Sequence, residues 1–184
     1  MKIIKNLLSK EFCNYYLWEI KKKEQTPVWQ SSTVFWPEGI KNNINGSCIV
    51  TSTGEEIKSQ IANLIAPHIP EVECDITTWF NVWQYNSGIS KHTDHGYVFA
   101  MTIYLNEYWD VDWGGNFLYY DKEIDWNNRE EKYLSDHKNW KVVIPEMGTA
   151  VLNDNRTLHL VTPLSPQSPQ LRYTVQIWAH EKKK

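Results

Sequence analysis

Two histidines and one aspartate in this sequence of 184 residues have the residue types and the spacing of a metal site. His92 and Asp94 are separated by a single residue, so on an extended strand both side chains point to the same face. His159 can supply a third ligand from another strand. Two imidazoles and one carboxylate on one face of a metal ion leave its other positions open, and this arrangement is typical of non-haem Fe(II) centres. The sequence therefore predicts a metal centre made of these three side chains.

Arg172 indicates what else binds near the metal. Its guanidinium is planar and always charged, and it can bind a carboxylate through two parallel hydrogen bonds. In the strand-like segment 171–179, Arg172 and Gln176 share one face, whereas Val175 and Ile177 lie on the other. Together with the predicted metal ligands, this arginine indicates an Fe(II) oxygenase that also binds a co-substrate with a carboxylate group.

The composition and the cysteine spacing argue against several classes of protein. A formal net charge of -3 without a basic patch argues against a nucleic-acid partner. No apolar run approaches the roughly 18 residues of a membrane span, and the start of the sequence lacks the pattern of a signal peptide. Cys13, Cys48 and Cys74 are odd in number and form no CxxC pair, which argues against disulfides and structural zinc. We therefore expect a cytoplasmic protein.

The first third of the sequence predicts two helices. Ser9 can cap a helix that extends to about Lys22. A second helix is predicted to start near Thr53, because Thr53 and Glu56 have the spacing of a capping box, and to end before Pro67. Between the two helices, residues 29–50 are predicted to form strands and loops.

From residue 75 onward, the apolar residues recur with the period of two that is typical of β-strands. The predicted strands are 76–85, 97–105, 116–120, 140–144, 149–153, 158–161 and 171–179. Short strands after two helices predict a mainly β fold, a sandwich or jelly roll with helical cladding. We expect a single domain over residues 1–184, with 1–74 as helical support and 75–180 as the jelly-roll core. The charged segment 121–138 indicates a surface excursion or a partly helical insertion, whose role is open.

The two faces of the predicted strands differ in polarity. In the segment 97–105, Met101 and Ile103 lie on an apolar face, whereas Thr102 and Tyr104 lie on the opposite face. Such strands are typical of a jelly roll that encloses a polar-lined cavity. The candidate lining residues are Trp83, Thr102, Gln176 and Trp178.

Several segments resemble a known family in residue type and order. They are Tyr85-Asn-Ser-Gly88 before His92-Thr-Asp94, Thr102-Ile-Tyr104-Leu-Asn106 with Trp109, Trp113-Gly-Gly-Asn-Phe-Leu-Tyr-Tyr120, Pro145-Glu-Met-Gly148, His159-Leu-Val and Arg172-Tyr-Thr-Val-Gln-Ile-Trp178. From about Trp79 to Trp178, the chain resembles the prolyl-hydroxylase-like group of 2-oxoglutarate/Fe(II) oxygenases. The N-terminal third is similar to that group only in having helices.

The resemblance implies a double-stranded β-helix that holds Fe(II) through His92, Asp94 and His159. It implies that 2-oxoglutarate and O2 are co-substrates, with ascorbate as a candidate reductant. Halogenating relatives have a small residue in place of Asp94, so the carboxylate at this position favours hydroxylation or a related oxidation.

The resemblance also implies a binding site for 2-oxoglutarate. Arg172 would form a salt bridge with the far carboxylate of this co-substrate and so counts among the catalytic residues. Tyr104 corresponds to a tyrosine that helps to bind the same carboxylate, and Tyr85 to one that lines the same pocket.

The substrate stays open between several classes. A prolyl residue in a peptide or protein is favoured, because ten Trp and ten Tyr offer the aromatic faces on which prolyl rings pack. The alternatives are a free amino acid or other small metabolite, and a non-catalytic jelly-roll protein that only binds ligands. A zinc hydrolase would leave Arg172, Tyr104 and Tyr85 unexplained. A nucleic-acid demethylase is disfavoured, because Trp178 stands where those enzymes have a second arginine. The oligomeric state and the hydroxylated position are not predicted.

Overall fold

The structure is a computed structural model that describes residues 1–24, 30–34, 46–122 and 137–182. Two α-helices and eleven strands lie within these residues. The helices are α1 (Lys10–Glu24) and α2 (Glu55–Ile65). The strands are β1 (Lys2–Ile4), β2 (Gln30–Val34), β3 (Gly46–Ser52), β4 (Cys74–Trp83), β5 (Ile89–His92), β6 (Phe99–Tyr104), β7 (Phe117–Tyr120), β8 (Trp140–Val143), β9 (Ala150–Asp154), β10 (His159–Val161) and β11 (Arg172–Glu181).

The described strands form two antiparallel sheets. A larger sheet has the order β1-β9-β6-β11-β4-β3-β2, and a smaller sheet has the order β5-β10-β7-β8. Strand β11 lies between β6 and β4, and it pairs with β4 from Arg172 opposite Trp83 to Glu181 opposite Cys74. The residues of β11 therefore occupy the middle of the larger sheet.

Apolar side chains pack on both faces of the larger sheet. On one face, Val175 of β11 belongs to a buried cluster with Tyr16 of α1 and Ile61 of α2. On the other face, Tyr104 of β6 packs in a second cluster with Phe117 of the smaller sheet. The helices therefore cover one face of the larger sheet and the smaller sheet covers the other. The prediction of a mainly β fold with N-terminal helices is confirmed.

The two helices begin in different ways. Ser9 precedes α1, and its hydroxyl oxygen accepts a hydrogen bond from the backbone N–H of Phe12 at 3.4 Å, as predicted for a cap. The capping box predicted at Thr53 is wrong. Helix α2 follows Gly54 and has no side-chain cap, because the buried hydroxyl of Thr53 is hydrogen-bonded to the hydroxyl of Thr78 on β4.

Every strand predicted after residue 75 is present, with bounds that differ by at most two residues. Strands β1 and β5 were not predicted. The segment 1–74, which was expected to be helical support with strands and loops at 29–50, supplies β1, β2 and β3 to the larger sheet. Most of the excursion predicted at 121–138 lies outside the described residues. In the described part of the chain, none of the helices has the length and apolar character that a membrane span requires.

Candidate metal centre and the adjoining cavity

His92, Asp94 and His159 meet in the interior of the molecule. His92 Nε2 lies 3.7 Å from Asp94 Oδ1, and His159 Nε2 lies 3.5 Å from Asp94 Oδ2. All three side chains are buried, and one ligand atom of each lies within 4.8 Å of the others. This is the spacing that a single metal ion needs, so the group could hold one.

Two paired strands of the smaller sheet position the histidines. His92 is the last residue of β5 and lies directly opposite His159, the first residue of β10. The centres of the two imidazole rings are 4.1 Å apart. Asp94 lies just beyond the end of β5 rather than on the strand, yet its carboxylate is on the same side as His92.

Backbone carbonyls orient both imidazoles toward the centre. His92 Nδ1 donates to the carbonyl of Ser90 at 2.7 Å, and His159 Nδ1 donates to that of Thr157 at 2.9 Å. Because a carbonyl oxygen can only accept, Nδ1 carries the proton and Nε2 keeps its lone pair. Burial, helped by the neighbouring His159, lowers the pKa of His92 to about 3. His92 is therefore neutral at physiological pH, which is the form that binds a metal.

Further side chains hold the predicted ligands in place. Asn153 of β9 donates from Nδ2 to Asp94 Oδ2 at 3.4 Å. The ring of Phe117 stacks on His159, with 5.1 Å between the ring centres. Neighbours of this kind fix the orientation of a metal ligand and usually affect metal affinity.

Arg172 is buried in the same cavity. Its side chain is at the start of β11, and the residue is 2% exposed. Nη1 donates to the carbonyl of Gly115 at 2.5 Å, and the guanidinium carbon lies 4.5 Å from the centre of the Trp83 ring. Burial lowers the pKa of Arg172 to about 10, so the group still carries its charge at neutral pH.

Two buried donors in the cavity fit a carboxylate. Among the described residues, no protein group hydrogen-bonds to Arg172 Nε or to Tyr104 Oη. Burial raises the pKa of Tyr104 to about 12, so its hydroxyl keeps the proton and can donate it. A buried positive charge beside two unused donors is costly unless an anion binds there. The residues present therefore fit the far carboxylate of 2-oxoglutarate.

A pair of glycines holds the arginine in this position. Gly114 and Gly115 have φ angles of 69° and 63°, which favour glycine. A Cβ on Gly114 would lie 2.0 Å from the carbonyl oxygen of Pro163, and one on Gly115 would lie 3.1 Å from Arg172 Cδ. Trp109 Nε1 donates to the Gly114 carbonyl at 2.8 Å. Gly114 and Gly115 thus form a tightly packed turn beside Arg172, and larger residues at these two positions would disrupt the packing.

A cavity of about 210 Å³ joins the metal centre to the arginine. Its lining comprises Cys48, Val50, Asn81, Trp83, Ile89, His92, Asp94, Tyr97, Thr102, Tyr104, Phe117, Asn153, His159, Val161, Arg172, Gln176 and Trp178. The structure places all four candidate lining residues (Trp83, Thr102, Gln176 and Trp178) in this set.

The comparisons with known proteins agree with this geometry. The sequence model of the 2OG-Fe(II) oxygenase superfamily matches residues 78–180, which are more than half of the chain. The chain belongs to the 2OG-Fe(II) oxygenase superfamily. The matched segment contains the three residues of the metal centre and Arg172. No curated protein matches the sequence.

Solved structures of other oxygenases share the fold. A prolyl-4-hydroxylase from Pseudomonas putida is similar with a TM-score of 0.68 and 15% identity, over 98% of this chain and 92% of that chain. A prolyl hydroxylase from Trichoplax adhaerens, in complex with a hypoxia-inducible-factor peptide, has a TM-score of 0.69 and 18% identity, over 98% and 83% of the two chains. HygX from Streptomyces hygroscopicus, with nickel, 2-oxoglutarate and hygromycin B, has a TM-score of 0.65 and 10% identity, over 98% and 82%. The jelly-roll fold class is thereby confirmed.

Tyr85 does not lie where the oxygenase resemblance implied. It is 42% exposed and is not part of the cavity lining. The reason is that β4 ends at Trp83, and the chain then turns through Asn86, whose φ is 63°. The alternation of strand faces therefore stops before Tyr85, which corrects the predicted placement.

Several cavity residues of this oxygenase were missed by the sequence analysis. Asn81 is two residues before Trp83 on β4, so strand alternation alone could have identified it. Cys48 and Val50 lie on β3, and their position in the cavity follows only from the pairing of β3 with β4. Asn153 faces the centre because β9 pairs with β6, which no local pattern reveals.

Proposed function

We propose that this oxygenase is an Fe(II)- and 2-oxoglutarate-dependent dioxygenase that hydroxylates an unactivated C–H bond. The favoured substrate in this proposal is a prolyl residue in a peptide or protein. One observation supports this activity: the three candidate metal ligands and the unpartnered donors of Arg172 and Tyr104 line one cavity. A metal ion without an anion site, or an anion site without a metal, would not fit this chemistry.

In this proposal, His92, Asp94 and His159 hold Fe(II). The metal supplies the oxidation chemistry, in which O2 converts 2-oxoglutarate to succinate and CO2 and one oxygen atom enters the substrate. Arg172 and Tyr104 bind the far carboxylate and so fix the direction in which the co-substrate lies. The buried walls exclude bulk water, which strengthens these charged contacts.

The cavity also supports a prolyl substrate. Tyr97 and Trp178 line it with their ring centres 6.3 Å apart. Flat aromatic surfaces suit the packing of a prolyl ring. The similar fold of the Trichoplax prolyl hydroxylase, which was solved with a peptide, supports this choice.

A second candidate is the hydroxylation of a free amino acid or another small metabolite. It is favoured by the similar fold of HygX, which was solved with hygromycin B. A non-catalytic binding protein is the third candidate.

Measurement of succinate formation over a substrate panel tests these candidates. The panel consists of acetylated and amidated proline peptides, free L-proline, other free amino acids and an aminoglycoside, each with Fe(II), 2-oxoglutarate and O2. We expect a proline peptide to raise succinate formation in wild type and to gain one oxygen atom by mass spectrometry, with His159→Ala inactive as a control. If only a small metabolite does so, the second candidate holds. Tight 2-oxoglutarate binding without turnover of any member would favour the third.

A further inference from the structure

Asn81 is a buried polar side chain that neither the metal centre nor the arginine site uses. It is 4% exposed and lines the cavity. It lies opposite Val50 of β3 and opposite Thr174 of β11. Because Trp83 is two residues further along β4, both side chains project from the same face of the sheet. The Asn81 amide is therefore in the same cavity as Arg172, one row of side chains away.

The oxygen of this amide lacks a hydrogen-bond donor. Within the part of the chain that the structure describes, no protein group donates to Asn81 Oδ1, although the atom is buried. The neighbouring polar groups are hydrogen-bonded to one another. Trp83 Nε1 donates to Thr174 Oγ1 at 3.2 Å, and Thr102 Oγ1 donates to Gln176 Oε1 at 2.6 Å. A buried acceptor of this kind lowers stability unless a ligand satisfies it.

The co-substrate is the wrong partner for this atom. At neutral pH, 2-oxoglutarate carries two carboxylates and a keto oxygen, all of which only accept hydrogen bonds. Its far carboxylate is matched by the unpartnered donors of Arg172 and Tyr104. Asn81 Oδ1 needs an N–H or O–H group, which must come from the molecule that is oxidised.

The charged side chains of the cavity favour a neutral N–H group over an ammonium group as the partner of Asn81 Oδ1. Among the lining residues that the structure describes, the acidic side chain is Asp94 and the basic side chain is Arg172, and these serve the metal and the co-substrate. A buried ammonium would need a carboxylate of its own, whereas an amide N–H needs only one acceptor.

We infer that Asn81 is a substrate-binding residue, whose Oδ1 accepts a hydrogen bond from a backbone amide N–H of a peptide substrate. The inference rests on the proposed function, because it takes the molecule in the cavity to be the one that is oxidised.

The first measurement needs no substrate. Asn81→Leu removes the amide and keeps the branched shape of the side chain, and Asn63→Leu changes an exposed asparagine of α2 as a control. The probe is 2-oxoglutarate, titrated by calorimetry into the Mn(II)-loaded protein without O2. We expect the affinity to stay within about twofold of wild type in Asn81→Leu and in the control. A tenfold loss in Asn81→Leu would assign the amide to the co-substrate and overturn the inference.

The second measurement uses the peptides of the succinate panel, together with versions in which one backbone N–H at a time is methylated. With a peptide that wild type turns over, we expect Asn81→Leu to raise KM about ten- to a hundredfold and to change kcat less. Methylation of one particular N–H should raise the wild-type KM by a similar factor and have no further effect in Asn81→Leu.

The outcomes separate the two proposals. If wild type turns over a peptide and Asn81→Leu shows the same KM, the role of Asn81 is refuted while the activity stands. If wild type turns over only a free amino acid or the aminoglycoside, the peptide assignment is refuted. If no member of the panel raises succinate formation, the proposed function fails, and the inference fails with it.

Discussion

At the scale of single residues, the candidate metal centre brings three potential ligand atoms within 4.8 Å of one another. Asp94→Ala leaves two imidazoles, so we expect a loss of at least tenfold in the affinity for Mn(II) or Fe(II), together with loss of turnover. His95→Ala is a matched control, because His95 is the exposed neighbour of Asp94 and is no part of the ligand group. Titration calorimetry without O2 measures the affinity. Equal metal affinity in Asp94→Ala and His95→Ala would refute the ligand assignment.

The arginine site gives a separate prediction at this scale. Arg172→Ala should weaken 2-oxoglutarate binding by about 2–5 kcal/mol, the usual effect of removing one partner of a buried charge pair. Arg172→Lys should recover only part of this, because lysine keeps the charge and loses the planar fork. Metal affinity should be unchanged in both variants. Arg156→Ala, which alters an exposed arginine, serves as a control. Wild-type 2-oxoglutarate affinity in Arg172→Ala would place the co-substrate elsewhere.

At the scale of elements, the glycine turn before β7 permits a test of close packing. Gly114 and Gly96 both have positive φ, but a Cβ on Gly114 would meet the Pro163 carbonyl at 2.0 Å, whereas one on Gly96 would meet nothing within 4 Å. Gly96→Ala should cost about 1–2 kcal/mol of unfolding free energy from backbone strain alone. Gly114→Ala should lower the unfolding free energy by more than this. It should also weaken 2-oxoglutarate binding, because the turn that contains Gly114 packs against Arg172. Urea unfolding measures the first effect. Equal losses of unfolding free energy in Gly96→Ala and Gly114→Ala would contradict the role of the close contact between Gly114 and Pro163.

Elements of this fold were predictable where the signal is local. The alternation along β6 and β11 separated a core face, with Met101 and Val175, from a cavity face, with Thr102 and Gln176. Local signals failed where tertiary contacts compete with them. Thr53 has the spacing of a cap, yet its hydroxyl bonds to Thr78 of a neighbouring strand.

At the scale of the whole molecule, the order of the strands decides which residues share the cavity. His92, Asp94, His159 and Arg172 could be proposed from the sequence because their residue types are chemically specific and because their order along the chain resembles that of the oxygenase family. Cys48 and Asn153 could not, because they line the cavity only through the β3–β4 and β9–β6 pairings. Such long-range pairings leave no mark in the local sequence.

The same arrangement predicts how ligands stabilise the fold. The candidate metal ligands belong to the smaller sheet and to the segment that follows β5, whereas Arg172 and Tyr104 belong to the larger sheet. A 2-oxoglutarate molecule bound to the metal and to Arg172 therefore links the two sheets, and the unfolded chain offers no such site. At about a hundred times the respective Kd, Mn(II) and then 2-oxoglutarate added to the Mn(II)-bound protein should each add about 2.7 kcal/mol of unfolding free energy, or roughly 5–10 °C in Tm for a chain of this length.

Thermal unfolding with Mn(II), with 2-oxoglutarate and with both, in the absence of O2, tests this link. We expect Mn(II) alone to raise Tm, 2-oxoglutarate alone to do little, and both together to raise Tm further, because the metal completes the co-substrate site. In Arg172→Ala, the increase due to Mn(II) should persist and the additional increase due to 2-oxoglutarate should disappear. If 2-oxoglutarate raises the Tm of Arg172→Ala as much as that of wild type, the co-substrate does not join the sheets through this arginine, and the stabilisation has another origin.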